Sequence, residues 1–176
     1  MSGVLGHVSS LHFDTMSELL WVGSASGQLT SHTGALPTLP RYTSLAAHGA
    51  PKQPRHVRGI LSDDKFIISL SEGRVCASQR QGLGRWSMQI EDHAPGVALA
   101  GLCASPQSAS SDIIVGGAAP NSHDALFALH SISGRIVRSA VSDGTVTQLR
   151  KGSRYLCVGT EQGTIQLHDP RSLRAE

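Results

Sequence analysis

The chain has 176 residues, a formal net charge of +2, 39% hydrophobic and 16% charged side chains, and 19 glycines. This balance excludes a charge-rich disordered tail and makes no electrostatic case for nucleic acid, a membrane surface or an acidic partner. A chain of this length is expected to form one domain with a real core, or one piece of a larger domain.

The opening, MSGVLGHVSSLHF, has no basic segment before a long apolar run, so no secretory leader is expected. Val8–Asp14 reads as a short strand. Leu19–His32 reads as strand, polar turn ending at Gly27, and second strand, and Tyr42–Ala46 as an outer strand. A Pro-marked loop follows, and then the pattern starts again. Val57–Leu61 is a short strand, Phe66–Ser78 a hairpin turning at Gly73, and Arg85–Ile90 an outer strand. The third pass is Val97–Cys103, Asp112–His130 and Arg135–Ser139. The uncharged stretch from Ala94 to Ser111 is broken by Pro95 and Pro106 and would not span a bilayer. Asp143–Gly144 marks another turn, and Val146–Arg150 and Tyr155–His168, turning at Gly163, make a fourth pass.

About 45 residues separate Gly27 from Gly73, and about twice that separates Gly73 from Gly163. Four strands in such a period predict a propeller blade, because a lone four-stranded sheet cannot cover both its faces and neighbouring blades can. The expected fold is therefore all-β, a degenerate β-propeller of about four four-stranded blades in a partial ring. The predicted blades are 4–50, 51–95, 96–142 and 143–176 of a single domain, 1–176. The alternative is a β-sandwich with coincidental spacing.

Three separated cysteines, Cys76, Cys103 and Cys157, without a CxxC pair suggest reduced intracellular thiols used in packing. Asp63–Asp64 sits in SDDKF and reads as a solvated turn. His7, His12, His32, His48, His56, His93, His123, His130 and His168 are scattered, with no HExxH, and read as structural or surface residues. Gly23–Ser24–Ala25–Ser26–Gly27 has Ala at its centre and is a hairpin turn, not a nucleophile elbow. No catalytic, cofactor-binding or metal-binding residue is predicted. Arg41, Tyr42, Lys52, Arg55, His56 and Arg58 could follow a phosphate backbone, although a solvated loop between blades is the stronger reading. Trp21 is expected to pack between blades, and Trp86 to do the same or lie on an outer edge.

GTIQLHDP (Gly163–Pro170) is similar to the hairpin of a WD repeat, with His168–Asp169 at the Trp-Asp position. His32–Thr33 and Ser78–Gln79 occupy that position in units one and two, and Gly6–His7 resembles the family's Gly-His pair. Longer stretches carry a closer likeness: Glu18–Gly34, Arg41–His48, Ile67–Trp86 and Leu167–Glu176. These resemble the amino-terminal WD-repeat-like propeller of the catalytic subunit of the poly(A)-nuclease deadenylation complex. The resemblance implies a non-catalytic scaffold in mRNA poly(A)-tail shortening that docks the pseudokinase-type regulatory subunit and associates indirectly with poly(A) mRNA. It implies a truncated chain, ending before the exonuclease that the family carries downstream, and therefore no enzyme activity. No membrane, cofactor or small-molecule substrate is implied, and the expected location is the cytoplasm, including processing bodies. The partner-binding residues are not legible. Two other readings stand beside it: a generic WD-like adaptor of another complex, and a pyrroloquinoline-quinone-type propeller enzyme. The second is suggested by Ala128–Val137 and Val158–Leu167, but Val137 and Ser139 stand where that family has a docking Trp.

Overall fold

The computed structural model describes residues 7–33, 39–50, 53–104, 112–119, 125–152 and 154–175. Four antiparallel sheets follow one another along the chain. The first is β1 (Val8–Asp14), β2 (Leu19–Ser24), β3 (Leu29–Thr33) and β4 (Arg41–Leu45). A two-stranded hairpin, β5 (Gly49–Ala50) with β6 (Gln53–Pro54), comes next. The second sheet is β7 (Gly59–Ser62), β8 (Ile67–Leu70), β9 (Arg74–Ser78) and β10 (Gly84–Gln89), followed by a 3-10 turn at Ile90–Asp92. The third is β11 (Ala98–Ala104), β12 (Asp112–Ala118), β13 (Leu126–His130) and β14 (Ile136–Ala140). The fourth has three strands, β15 (Val146–Lys151), β16 (Leu156–Thr160) and β17 (Ile165–His168).

The fold is that of WD-repeat-like propeller blades, not of a two-layer sandwich. Each sheet is a local up-and-down meander whose strands pair in chain order. Burial follows position in the sheet. The middle strands β2, β12 and β13 are covered on both faces and read as near-continuous apolar runs, LLWVGS, DIIVGGA and LFALH. The outer strands β4 and β14 alternate between half-buried and exposed residues. In the loop between the first two sheets, the β5–β6 hairpin stands where the sequence suggested only solvated turns.

By contacts the chain divides into two compact units: Met1–Ser71 with Cys76–Trp86, and Glu72–Val75 with Ser87–Glu176. The core of the first gathers Leu19, Trp21, Leu29 and Ile67, with Leu45, Ala47 and Ile60 packed against it. Trp21 therefore lies between the first sheet and β8, as its apolar strand suggested, while Trp86 is half-buried on the outer strand β10. The core of the second gathers Cys103, Ile114, Leu126, Leu149, Val158 and Leu173, among others.

Two turn glycines behave as tight turns require: Gly27 has φ 81° and Gly163 φ 78°. Gly73 differs. It is absent from the positive-φ residues, and a Cβ there would run into the Glu91 side chain. Its carbonyl accepts the Ile90 N–H at 2.8 Å, so Gly73 serves close approach rather than turn conformation.

Gly23 is another close approach, within the first unit. A Cβ on Gly23 would lie 2.6 Å from Val57 Cγ1 and would also collide with Ser10 Oγ. Gly23→Ala is expected to cost about 2 kcal/mol through overpacking, read as a lower denaturant midpoint with unchanged slope. A neutral effect would contradict this packing.

Candidate interaction surface

Buried polar side chains in the first unit are tied to structural partners. Asp14, at the end of β1, is fully buried. Arg80 holds it with two bonds, Nε to Oδ2 at 2.6 Å and Nη2 to Oδ1 at 3.2 Å, and Ser17 Oγ and Met16 N–H also donate to it. The same guanidinium donates to the carbonyls of Asp63, at 2.7 Å, and Asp64. One arginine thus joins the first sheet to the β7–β8 turn. The Asp63 carboxylate caps that turn, accepting the N–H groups of Lys65 and Phe66 at 2.7 and 2.6 Å. The turn reading of Asp63–Asp64 is what the structure shows.

His12 bridges from β1 to β7. Its Nε2 accepts the Ser62 N–H at 3.2 Å and lies 2.8 Å from Ser62 Oγ. Burial pushes its pKa down, against the opposing charge of Asp14, so the ring favours the neutral form that can accept.

His32 and His168 stand at equivalent places and are built alike. His32 Nδ1 lies 2.9 Å from the Leu39 carbonyl, and His168 Nδ1 lies 2.9 Å from that of Leu173. Each Nε2 meets the side chain two residues earlier, Thr30 at 3.2 Å and Gln166 at 3.0 Å. The next residue repeats as well: Thr33 N–H donates to Pro40 O, and Asp169 N–H to Arg174 O. Leu39 and Leu173 both take positive φ, 37° and 59°, to aim those carbonyls inward. In each case a buried imidazole with two partners ties the end of the hairpin to the segment that follows it.

His48, one of the scattered histidines, is buried and structural, but its partner is one that sequence reasoning missed. Its Nε2 lies 2.9 Å from Ser69 Oγ, and Cys76 Sγ donates to the neighbouring Ala47 carbonyl at 3.2 Å. The available signal was Ser69 inside the apolar run FIISLS, a hydroxyl that must find a partner once buried. The spacing is that of a nucleophile and base. However, Ser69 and His48 are 0% and 1% exposed, so no substrate reaches them. His7, offered as half of a Gly-His pair, is exposed, and Gly6 lies outside the described residues, as do Lys52 and His123. His56 and His93 are exposed, and His130 Nδ1 lies 3.0 Å from Ser133 Oγ.

Among the described residues no group of three His, Cys, Asp or Glu side chains could share a metal ion. Cys76 and Cys103 are buried. Burial pushes the Cys103 thiol up to about 12, despite the nearby charges of Arg150 and Lys151. Cys157 departs from its expected burial. It is half-buried, because the period of two in β16 turns Leu156, Val158 and Thr160 inward and Cys157 and Gly159 the other way.

The basic segment does not form one patch. Arg41 pairs with His32 at one end of β3, whereas Leu29 and Gly23 mark the other end. Val57 N–H donates to Ser24 O at that other end, which places Arg55, His56 and Arg58 about 13 Å from Arg41 along the strands. Exposed apolar groups are a better candidate for contact. Tyr42 on β4 and Leu83 before β10 are both exposed. They flank a junction where Thr43 Oγ1 donates to the Gln81 carbonyl at 3.3 Å. Together with exposed Arg41, they give the first unit an edge of the composition that protein interfaces favour. In the second unit a polar cavity of about 470 Å³ lies beside β17, lined by Asp143, Gln166, His168 and Arg174 among others.

Comparison with known proteins places this geometry. The family described as PAN2 N-terminal matches residues 2–176. The chain is 36% identical over 158 residues to the PAN2-PAN3 deadenylation complex catalytic subunit pan2 of Aspergillus oryzae, covering 89% of the chain and 12% of that protein. It is 31% identical over 167 residues to the corresponding subunit of Phaeosphaeria nodorum, covering 94% of the chain and 14% of that protein. The chain thus spans about an eighth of the length of these curated relatives. Among solved structures, the Neurospora crassa Pan2 WD40 domain superposes with a TM-score of 0.80 at 27% identity, over 97% of this chain and 49% of that one. The WD40 propeller domain of Doa1 superposes with a TM-score of 0.70 at 14% identity, over 94% of this chain and 51% of that one, a likeness of fold alone.

Proposed function

Since the chain belongs to the PAN2 N-terminal family, we propose that it acts as a non-catalytic, protein-binding propeller in an mRNA poly(A)-tail-shortening complex. The observation that carries this reading is the family match over residues 2–176 on a propeller fold. The burial of its polar clusters supports the non-catalytic part, since the His48–Ser69 pair is closed to substrate. Its partner is the pseudokinase-type regulatory subunit, its association with poly(A) mRNA is indirect, and its location is the cytoplasm, including processing bodies. Exposed Arg41, Tyr42 and Leu83 are the surface it would offer to that partner.

The test is co-precipitation of the 176-residue chain with the regulatory subunit, alongside the Tyr42→Ala/Leu83→Ala double variant. Retention by the original chain and loss by the variant, at unchanged melting temperature, is expected. No retention of the original chain would overturn the partner assignment. In parallel, the purified chain with poly(A) and magnesium is expected to leave the 3′ end intact, and shortening that tracks with the protein would overturn the scaffold reading. The quinone-enzyme reading gains no support, because β14 presents Val137 to solvent in place of a docking tryptophan.

A further inference from the structure

The fourth sheet is electrically polarised along its strands. At one end lie Asp143, before β15, and Glu161, in the β16–β17 turn, both exposed. At the other end, about 17 Å away along β15, the sign reverses. Lys151 closes β15, Arg154 and Tyr155 lie in the turn into β16, and Arg171 lies in the turn after β17. All four are exposed.

The registers bring these turns together. Lys151 pairs with Leu156, and Leu156 with His168. Gly152 N–H donates to the Tyr155 carbonyl at 2.9 Å, which closes the first turn. In the second, Leu173 N–H donates to the Asp169 carbonyl at 2.7 Å. The two turns therefore leave the sheet side by side, one strand spacing or about 5 Å apart.

Little opposes this positive charge. The Asp169 carboxylate is engaged within its own turn, accepting the Arg171 N–H at 2.9 Å and the Ser172 hydroxyl at 3.2 Å. The charges of Arg150 and Lys151 reach Cys103 of β11, so the start of β12 shares this end of the unit. The Asp112 carboxylate there is bound by Arg138. Residues 105–111, SPQSASS, carry no charge. Among the described residues, the side chains of Lys151, Arg154 and Arg171 have no carboxylate partner.

We infer that this end of the fourth sheet docks a short acidic segment of a protein, with Arg154 and Arg171 gripping its carboxylates, Lys151 adding charge and Tyr155 packing against the chain between them. An arginine presents a planar fork that matches a carboxylate, and Arg and Tyr are residues that protein interfaces concentrate. A short segment fits better than a long polyanion. The cations occupy one end of one sheet, while the whole chain balances 15 basic against 13 acidic residues. Exposed charges further apart than about 8 Å are largely screened, so an RNA strand running on past the turns would gain little. One tyrosine also gives a nucleic acid a single stacking platform. Further sheets would stack on the faces of this one and not on its end, so the surface stays open whether or not the chain continues past Glu176. The surface belongs to the second unit alone, and the inference does not depend on the proposed function.

Fluorescence anisotropy of a dye-labelled hexaglutamate peptide, titrated with the 176-residue chain, is expected to show saturable binding. Arg154→Glu/Arg171→Glu is expected to weaken it at least about tenfold. The melting temperature is expected not to change, since it is the backbone N–H of Arg171 that holds its turn. Arg41→Glu/Arg85→Glu makes the same charge change at two exposed arginines of the first unit. That variant is expected to leave binding within about twofold. A dye-labelled hexaadenylate RNA is expected to bind more weakly than the peptide. No saturable binding of hexaglutamate, equal losses in the two double variants, or tighter binding of the RNA would each overturn the inference.

Discussion

Trp21→Ala is expected to destabilise the protein by about 4 kcal/mol, lowering the melting temperature by about 12 °C. Trp21 is fully buried in the cluster of Leu19, Leu29 and Ile67, and two sheets meet on it. Its removal leaves a large void between elements far apart in sequence, a site poorly able to collapse. Among the described residues its indole N–H has no hydrogen-bond partner, so the loss is one of packing. Trp86→Ala is the comparison. That ring is half-buried on an outer strand and its loss is expected to cost about 1 kcal/mol. Denaturant titration of the two variants checks the order, and equal losses would contradict the placement of Trp21 at the sheet junction.

Arg80→Ala is expected to cost about 3 kcal/mol, because it strands the buried Asp14 carboxylate. The double variant Arg80→Ala/Asp14→Asn is expected to recover part of that loss, since no charge is then left buried alone. The same pair sets an acid limit. Burial alone would push the Asp14 carboxyl up. Hydrogen bonds from Arg80, Ser17 and Met16 N–H, with the Arg80 charge, outweigh burial and bring it down to about 2. A carboxyl lower in the folded than in the unfolded state adds stability above its ordinary value, and loses it as pH falls toward the folded value. The Asp14 contribution is thus complete above about pH 4 and lost on approach to pH 2. Stability measured between those limits is expected to fall more steeply for the parent chain than for Asp14→Asn. Parallel curves would contradict the clamp.

The blades were legible because their signals are local. A hairpin such as YLCVGTEQGTIQLH carries alternation, turn and glycine within one short window, and its recurrence near 45 residues needs no tertiary knowledge. The equivalence of His32 and His168 was legible for the same reason, since both close a hairpin at the same offset. Their role was not, because the carbonyls that hold them belong to Leu39 and Leu173, whose positive φ no residue-type rule assigns to leucine. Gly73 shows the converse. It sits in a turn like Gly27, but what demands glycine there is Glu91 of the following turn.

The Asp14–Arg80 clamp and the His48–Ser69 contact join residues 66 and 21 positions apart, and nothing in the intervening sequence announces either. Each buried polar group required a partner, but which partner depended on how one sheet lies against the next. By itself the sequence determined the repeat, the strand order within each sheet and the family, because period, turn chemistry and wording are properties of short windows. Only the tertiary structure decided that Val57 fills the space beside Gly23 and Val146 the space beside Gly116, because burial is a property of neighbours and not of residues.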